Sequence, residues 1–361
     1  MTAPLPAKRP SKALLIGLVV SGVLALIVLG LMLHKGGPVG FGLSAVLGIA
    51  PLPVLLAAVL SLDRLEPEPK LHLAFAFAWG AGLAIVLGVG LTLAGQALFL
   101  RAGYGAQLVN DVGTVFLAPV IEEALKGSAL LLLLRRKQEI DGLTDGIVYA
   151  SMAGLGFAAV ENIGYYLIAF GQDGTGAAVR LFVLRGLIDP LGHPIYTSMI
   201  GLGVAYALTR RTPGRFAAIP LGYLGAVVLH GLWNGAASTQ SLAWLGTAYL
   251  VIMVALVLLV VVTVVERRQL VSKMGVYLPG YGPTGLVTAE DVKMLSTLKA
   301  RKAARRWARG AGFGRAMSDY QQAATELTVL HLRAERQGMD PARFAMERDA
   351  LLTSMAHARR W

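Results

Sequence analysis

Cysteine is absent from the 361 residues, which excludes disulfides, thiolate nucleophiles and Cys-ligated metals. Charge is scarce too. Asp, Glu, Lys and Arg make up 15% of the chain, against roughly 25% in a soluble domain. Aromatic residues contribute only 7%. The chain has no His-Glu-x-x-His run, no Gly-x-Ser-Gly nucleophile motif and no Gly-x-Gly-Asp with a matching second Asp. Those absences remove three common hydrolase designs. What the chain has in excess is apolar surface: 55% hydrophobic residues and a mean hydropathy of +0.62. A soluble cytoplasmic domain is excluded, and a chain dissolved mainly in lipid is expected.

A membrane helix needs about 20 mostly apolar residues. Eight stretches qualify, near 13–33, 40–62, 71–100, 112–134, 145–170, 181–209, 216–238 and 242–265. The fold expected is therefore all-α, a polytopic membrane helix bundle of about 8 transmembrane helices with a short helical cytoplasmic C-terminal tail. Lys8, Arg9 and Lys12 precede the first stretch as in a signal peptide. Its apolar run is too long for one, and His34-Lys35-Gly36-Gly37 is no small-residue cleavage site, so an uncleaved anchor is expected.

Orientation follows from the basic residues. With the N-terminus inside, cytoplasmic ends carry Lys8, Arg9, Lys12, Arg64, Lys70, Arg135, Arg136, Lys137, Arg210, Arg211, Arg215, Arg267 and Arg268, and external loops only Lys35, Arg101 and Arg180. Both termini are expected in the cytoplasm, in a bacterial cell membrane. The chain divides into a multi-pass transmembrane domain over 1–268 and a basic cytoplasmic helical tail over 269–361. The tail holds 15 basic and 8 acidic side chains. Within it, Ser272 to Thr288 reads as a Gly/Pro-rich linker, and three polar helices are expected beyond. Thr288 caps the first, Ser318-Asp319-Tyr320-Gln321 has capping-box spacing for the second, Gly338 ends that one, and Asp340-Pro341 opens the third.

Charges at membrane depth are costly, so each calls for a reason. Glu122 and Glu123 lie roughly 15 Å into their span at about 1.5 Å per residue. They point about 100° apart, and Lys126 is within helical reach of either. One Lys cannot compensate two carboxylates. Glu161 follows the glycines Gly154 and Gly156, which let helices approach closely. Arg185, Asp189 and His193 recur every four residues and would line one face, with Asp189 pairing Arg185 and orienting His193. His230 and Asn234 share a face in the same way. Glu161, His193 and His230 fall within roughly 5–10 Å of one level near mid-membrane.

Two His and one Glu make a common catalytic zinc set. Glu161, His193 and His230 would be the ligands, the metal would lower the pKa of bound water toward about 7, and Glu122 or Glu123 would take the proton. A metal-free version is equally open, with a glutamate activating water directly while His and Asn234 hydrogen-bond the oxyanion. Either scheme hydrolyses an amide in a hydrated cavity inside the bilayer. The competing reading is a proton- or ion-coupled transporter using the same cluster, against which no paired discontinuous helices in two matching halves are seen. A non-catalytic scaffold acting through the tail would leave the clustered Glu and His unexplained.

Four motifs carry a resemblance to a known family. Glu122-Glu123-Ala124-Leu125-Lys126 resembles the Glu-Glu-x-x-Lys motif of PrsW-type intramembrane proteases, relatives of the CAAX prenyl-protease and bacteriocin-processing (CPBP, or Abi) superfamily. Phe157-Ala158-Ala159-Val160-Glu161-Asn162 is similar to the Phe-x-x-x-Glu second motif, His193-Pro194-Ile195-Tyr196-Thr197 to the third, and His230-Gly231-Leu232-Trp233-Asn234 to the final His-x-x-x-Asn/Asp motif. The likeness covers about residues 110–240, in motif order. It implies a multi-pass helical metallopeptidase acting on membrane protein or peptide substrates, in some relatives during stress signalling. Outside the likeness, Lys299, Arg301, Lys302, Arg305, Arg306 and Arg309 beside Trp307 suit an anionic lipid surface or a cytoplasmic partner. Nucleic acid is not expected as a partner.

Overall fold

Hydrophobic runs of this length close their backbone hydrogen bonds as helices. The computed structural model describes residues 11–134 and 140–359, and among these there are helices and turns but no strand. Lys8, Arg9, Arg135, Arg136 and Lys137, which contribute to the orientation expectation, lie outside the described residues. The helices are α1 Lys12–Ile49, α2 Leu52–Leu62, α3 Lys70–Trp79, α4 Ile85–Arg101, α5 Ala106–Val112, α6 Ala118–Leu134, α7 Leu143–Phe182, α8 Gly192–Thr209, α9 Ala218–Ser238, α10 Leu242–Tyr277, α11 Ala289–Leu295, α12 Leu298–Gly310, α13 Gly314–Gln337 and α14 Pro341–Ala358.

Five helical runs among the described residues are long and apolar enough to cross a membrane: Lys12–Leu62, Lys70–Arg101, Leu143–Thr209, Arg215–Ser238 and Leu242–Thr284. The first contains two of the expected spans, separated where Gly37 leaves the helical region (φ 65, ψ 172) ahead of Pro38. Leu143–Thr209 contains another two. The expected span at 112–134 falls on α5 and α6 and is not among the five. It holds the charges of Glu122, Glu123 and Lys126. Large apolar side chains such as Leu26, Val54 and Leu250 are exposed, as lipid-facing residues would be.

The chain forms two compact units. One comprises, of the described residues, 11–63, 68–134 and 140–260. Its centre is α7, whose first half is buried almost throughout. Asp145 opens this helix by accepting the amides of Asp141 (2.9 Å) and Gly142 (2.8 Å). Gly154 allows the closest approach that matters for the site, because a Cβ there would meet the His193 carbonyl oxygen at 2.7 Å. Three wide π-type turns interrupt the unit at Gly80–Ala84, Gly113–Leu117 and Val183–Ile188. Such turns re-aim side chains. After the third, Asp189 leaves helical geometry (φ −118, ψ 55), and α8 starts anew at Gly192. Arg185, Asp189 and His193 therefore do not share one continuous helical face, contrary to the expectation from their spacing.

The other unit contains residues 64–67 and 261–359. Its core gathers Val271, Met274, Leu278, Leu295, Leu327 and Met355. The expected linker from Ser272 is helical as far as Tyr277, because Met274 and Leu278 are core residues. Thr288 caps α11 by accepting the Asp291 amide (3.2 Å), and Asp340 caps α14 by accepting that of Arg343 (2.9 Å). Gly338 follows α13 at φ 71. Four helices stand where three were expected. Thr297 begins a new one by accepting the Ala300 amide (3.2 Å). Ser318 lies inside α13, which starts at Gly314.

Candidate active site

α6 contributes Glu122, Glu123 and Lys126, α7 contributes Glu161, α8 contributes His193 and Thr197, and α9 contributes His230. Glu123 and Lys126 are fully shielded from solvent, and Glu122, His193 and His230 are buried. Buried charge at this density survives only when paired and hydrogen-bonded.

Lys126 supplies the central cation. Its Nζ donates to Glu123 Oε1 (2.9 Å) and Glu122 Oε2 (3.3 Å), lies 2.8 Å from His193 Nδ1, and sits 3.7 Å from the centre of the Phe157 ring. An ammonium has no lone pair to offer, so His193 Nδ1 is the acceptor. The ring proton is then on Nε2, which donates to Glu161 Oε2 (2.9 Å). His230 is held by the same logic. Its Nδ1 donates to Glu123 Oε1 (3.0 Å), leaving Nε2 bare and 3.9 Å from Glu122 Oε2. Each imidazole thus has one nitrogen fixed by a carboxylate; the lone pair of His193 is taken by Lys126, and that of His230 lies on the side of Glu122. The two rings meet edge to face with centres 4.9 Å apart. Tyr196 stacks on His230 (5.3 Å, 20°), and Thr197 Oγ1 donates to Glu123 Oε2 (2.9 Å).

Ligand atoms of Glu122, His193 and His230 all lie within 4.8 Å of one another. Two imidazoles and a carboxylate, with carboxylates behind both rings, are a donor set suited to a catalytic divalent metal. This set has Glu122 in the position that the sequence reading assigned to Glu161. Glu161 turns instead to His193 and to Arg185, whose guanidinium also donates to Asn162 Oδ1 (2.7 Å). Arg185 therefore pairs with Glu161, not with Asp189, and Glu161 orients His193. Asp189 accepts from the Tyr196 hydroxyl (3.3 Å). Asn234 donates its amide to the Thr114 carbonyl oxygen (2.9 Å), which ties α9 to the turn at Gly113–Leu117. Among the described residues it has no hydrogen bond into the cluster. Spacing brought Lys126 into view as a partner of Glu122 and Glu123. Phe157, Tyr196 and Thr197 stood within the quoted motifs, where nothing in the local pattern marked them as packing on the cluster.

An integral, helical membrane protein with a buried Glu/His cluster is the class that fold and site define. Residues 68–262, more than half of the chain, match the family described as PrsW family intramembrane metalloprotease, and the chain belongs to that family. Its curated relatives include Protease PrsW of Oceanobacillus iheyensis, 28% identical over 149 residues that make up 40% of this chain and 65% of the relative. Protease PrsW of Geobacillus kaustophilus is 28% identical over 40% of this chain and 62% of the relative. Protease PrsW of Bacillus subtilis is 29% identical over 37% and 56%. The chain thus spans less than two thirds of the length of these relatives. No solved structure matches it.

Proposed function

We propose that this protein is an intramembrane endopeptidase that hydrolyses a peptide bond of a membrane-associated protein substrate with a water activated by the Glu/His cluster. The observation that carries the reading is the convergence of Glu122, His193 and His230 within 4.8 Å in the core of a membrane-type helical unit. Membership of a protease family supports it over a transporter, whose mid-membrane Glu and His would serve ion passage.

Glu122 is the carboxylate with the fewest fixed partners, whereas Glu123 is engaged by Lys126, His230 and Thr197. Glu122 accepts a proton as the water oxygen attacks the substrate carbonyl carbon. The new C–O bond places negative charge on the carbonyl oxygen, and the ammonium of Lys126 stabilises it. When the C–N bond breaks, the proton held by Glu122 passes to the departing nitrogen. Glu161 and Glu123 keep the two rings oriented throughout. Alternatively, with Lys126 displaced from His193 Nδ1, Glu122 would serve as a ligand instead of the base, and Glu122, His193 and His230 would hold a divalent metal, with zinc the best fit to the donor types. Such an ion supplies Lewis acidity and a water of lowered pKa. Lys126 at 2.8 Å from His193 Nδ1 favours the metal-free route, in which its ammonium is the positive charge of the site.

Both termini are assigned to the cytoplasmic side of a bacterial cell membrane, and residues 269–361 to a helical module that docks a cytoplasmic partner or anionic lipid. A role in regulated proteolysis is carried over from the family likeness alone. The test is cleavage of a model transmembrane peptide by purified, reconstituted protein, with metal analysis and chelation on the same sample. Glu122→Gln should abolish cleavage while the protein stays folded. Wild-type cleavage by a Glu122→Gln, Glu161→Gln, His193→Ala and His230→Ala quadruple variant would overturn the reading.

A further inference from the structure

The break between α7 and α8 encloses a second polar feature. A cavity of about 10 Å³ lies there, lined by Asn162, Arg185, Asp189, His193 and Tyr196, with Trp233 as its apolar wall. That volume is about what the centre of one water requires, on the order of 10–15 Å³. Asp189 Oδ1 is buried and has no hydrogen-bond partner among the described residues. Its other oxygen is fixed by the Tyr196 hydroxyl (3.3 Å). An unsatisfied carboxylate oxygen is costly in a low-dielectric interior, and the cavity offers the room and the polar neighbours that a bound water needs. The local chain is shaped to keep this pair. A Cβ at Gly192 would collide with Asp189 Oδ2 and with the Tyr196 hydroxyl. His193 belongs both to this cavity and to the Glu/His cluster.

We propose that the cavity is a water-binding site anchored by Asp189, and that it feeds the reacting water to the cluster across His193. Asp189 is then a positioning residue, outside the set that touches the reacting atoms. The catalytic half of this inference rests on the peptidase reading, and the water site itself does not. A hydrolase sunk in lipid needs a route by which water reaches its buried carboxylate. This cavity meets that need with a single ordered molecule, leaving the cluster otherwise shielded.

The two halves are tested separately in full-length protein in lipid nanodiscs. Radiolytic hydroxyl-radical labelling marks side chains next to ordered water, so Tyr196 and Trp233 should be labelled in the wild type. Asp189→Leu should abolish that labelling, and Asp189→Asn, which keeps an acceptor oxygen, should retain it. In the peptide assay Asp189→Leu should lower kcat about tenfold, the lower end of what outer-sphere groups contribute, with KM unchanged, and Asp189→Asn should stay near wild type. If Asp189→Leu does not fold, Asp189→Val carries the same comparison, because it too removes the carboxylate that anchors the water. Absent labelling in the wild type, or undiminished labelling in Asp189→Leu, overturns the water site. Lost labelling with wild-type kcat overturns its role in the reaction. A wild-type protein that is labelled but cleaves no peptide would sink the peptidase reading and the role in the reaction, and leave the water site standing.

Discussion

Lys126→Met is the perturbation that bears most directly on how the site is held together. The methionine roughly preserves the length and volume of the side chain and its contact with Phe157. It removes the cation that bridges Glu122 (3.3 Å) and Glu123 (2.9 Å) and leaves His193 Nδ1 without its donor. Removing one partner of a buried ion pair costs about 3–5 kcal/mol, since the other charge stays behind. Here two carboxylates remain, so the upper part of that range applies. At roughly 2–4 °C per kcal/mol for a folding unit of 150–250 residues, a fall of roughly 8–20 °C in apparent Tm is expected. Adding Glu122→Gln removes one of the stranded charges and should recover about half of the loss, a coupling that a double-mutant cycle measures. The assay is thermal unfolding of detergent-solubilised protein, with and without added zinc. If the cluster holds a divalent ion, zinc should raise the Tm of Lys126→Met by mass action. A Lys126→Met protein as stable as the wild type, with no coupling to Glu122→Gln, would refute the assignment of Lys126 as the central cation.

Glu161→Gln loses the charge that pairs with Arg185 and orients His193. Cleavage of a model peptide should fall by roughly ten- to a hundredfold, while Asn234→Ala, which breaks only the tie to Thr114, should cost less than that. Glu68, in the segment between α2 and α3, has its carboxyl pushed well above the usual value by burial first and by the Asp145 carboxylate second. The folded protein keeps that proton where the unfolded chain has lost it. Stability from this group is full below about pH 4.5 and declines as pH rises toward the folded value, at about 1.4 kcal/mol per pH unit. Tm measured between pH 4.5 and 7 should therefore slope less in Glu68→Gln than in the wild type. Arg301 is buried and donates to the Gln321 carbonyl oxygen (3.1 Å) and Thr325 Oγ1 (2.9 Å). Burial lowers its guanidinium to about 10. Arg301→Ala strands those acceptors, costing about 1–3 kcal/mol, and limited proteolysis of the full chain should cut faster within residues 261–361.

Local pattern carried much of this protein. Apolar runs longer than a bilayer needs make helices, because lipid offers no other partner for the backbone. Glu122 and Glu123 reach Lys126 because three and four residues bring side chains together on any helix. Thr288 and Asp340 cap α11 and α14 because a short oxygen-bearing side chain at that position accepts the next free amide. The four motifs named the helices that meet. They did not say which atoms meet, and that required the tertiary structure. Spacing assigned Asp189 to Arg185 and Glu161 to the two imidazoles. The π-type turn at Val183–Ile188 and the break at Asp189 rotate that segment, so Arg185 reaches Glu161 and Asp189 reaches Tyr196. Ligand atoms of Glu122, His193 and His230 gather within 4.8 Å of one another, Glu161 reaches His193 through Nε2, and Asn234 faces Thr114. Sequence periodicity fixes positions around a helix's own axis. The approach of one helix to another depends on turns, glycine contacts and packing between segments far apart in the chain, and only the folded arrangement of α6, α7, α8 and α9 decides it.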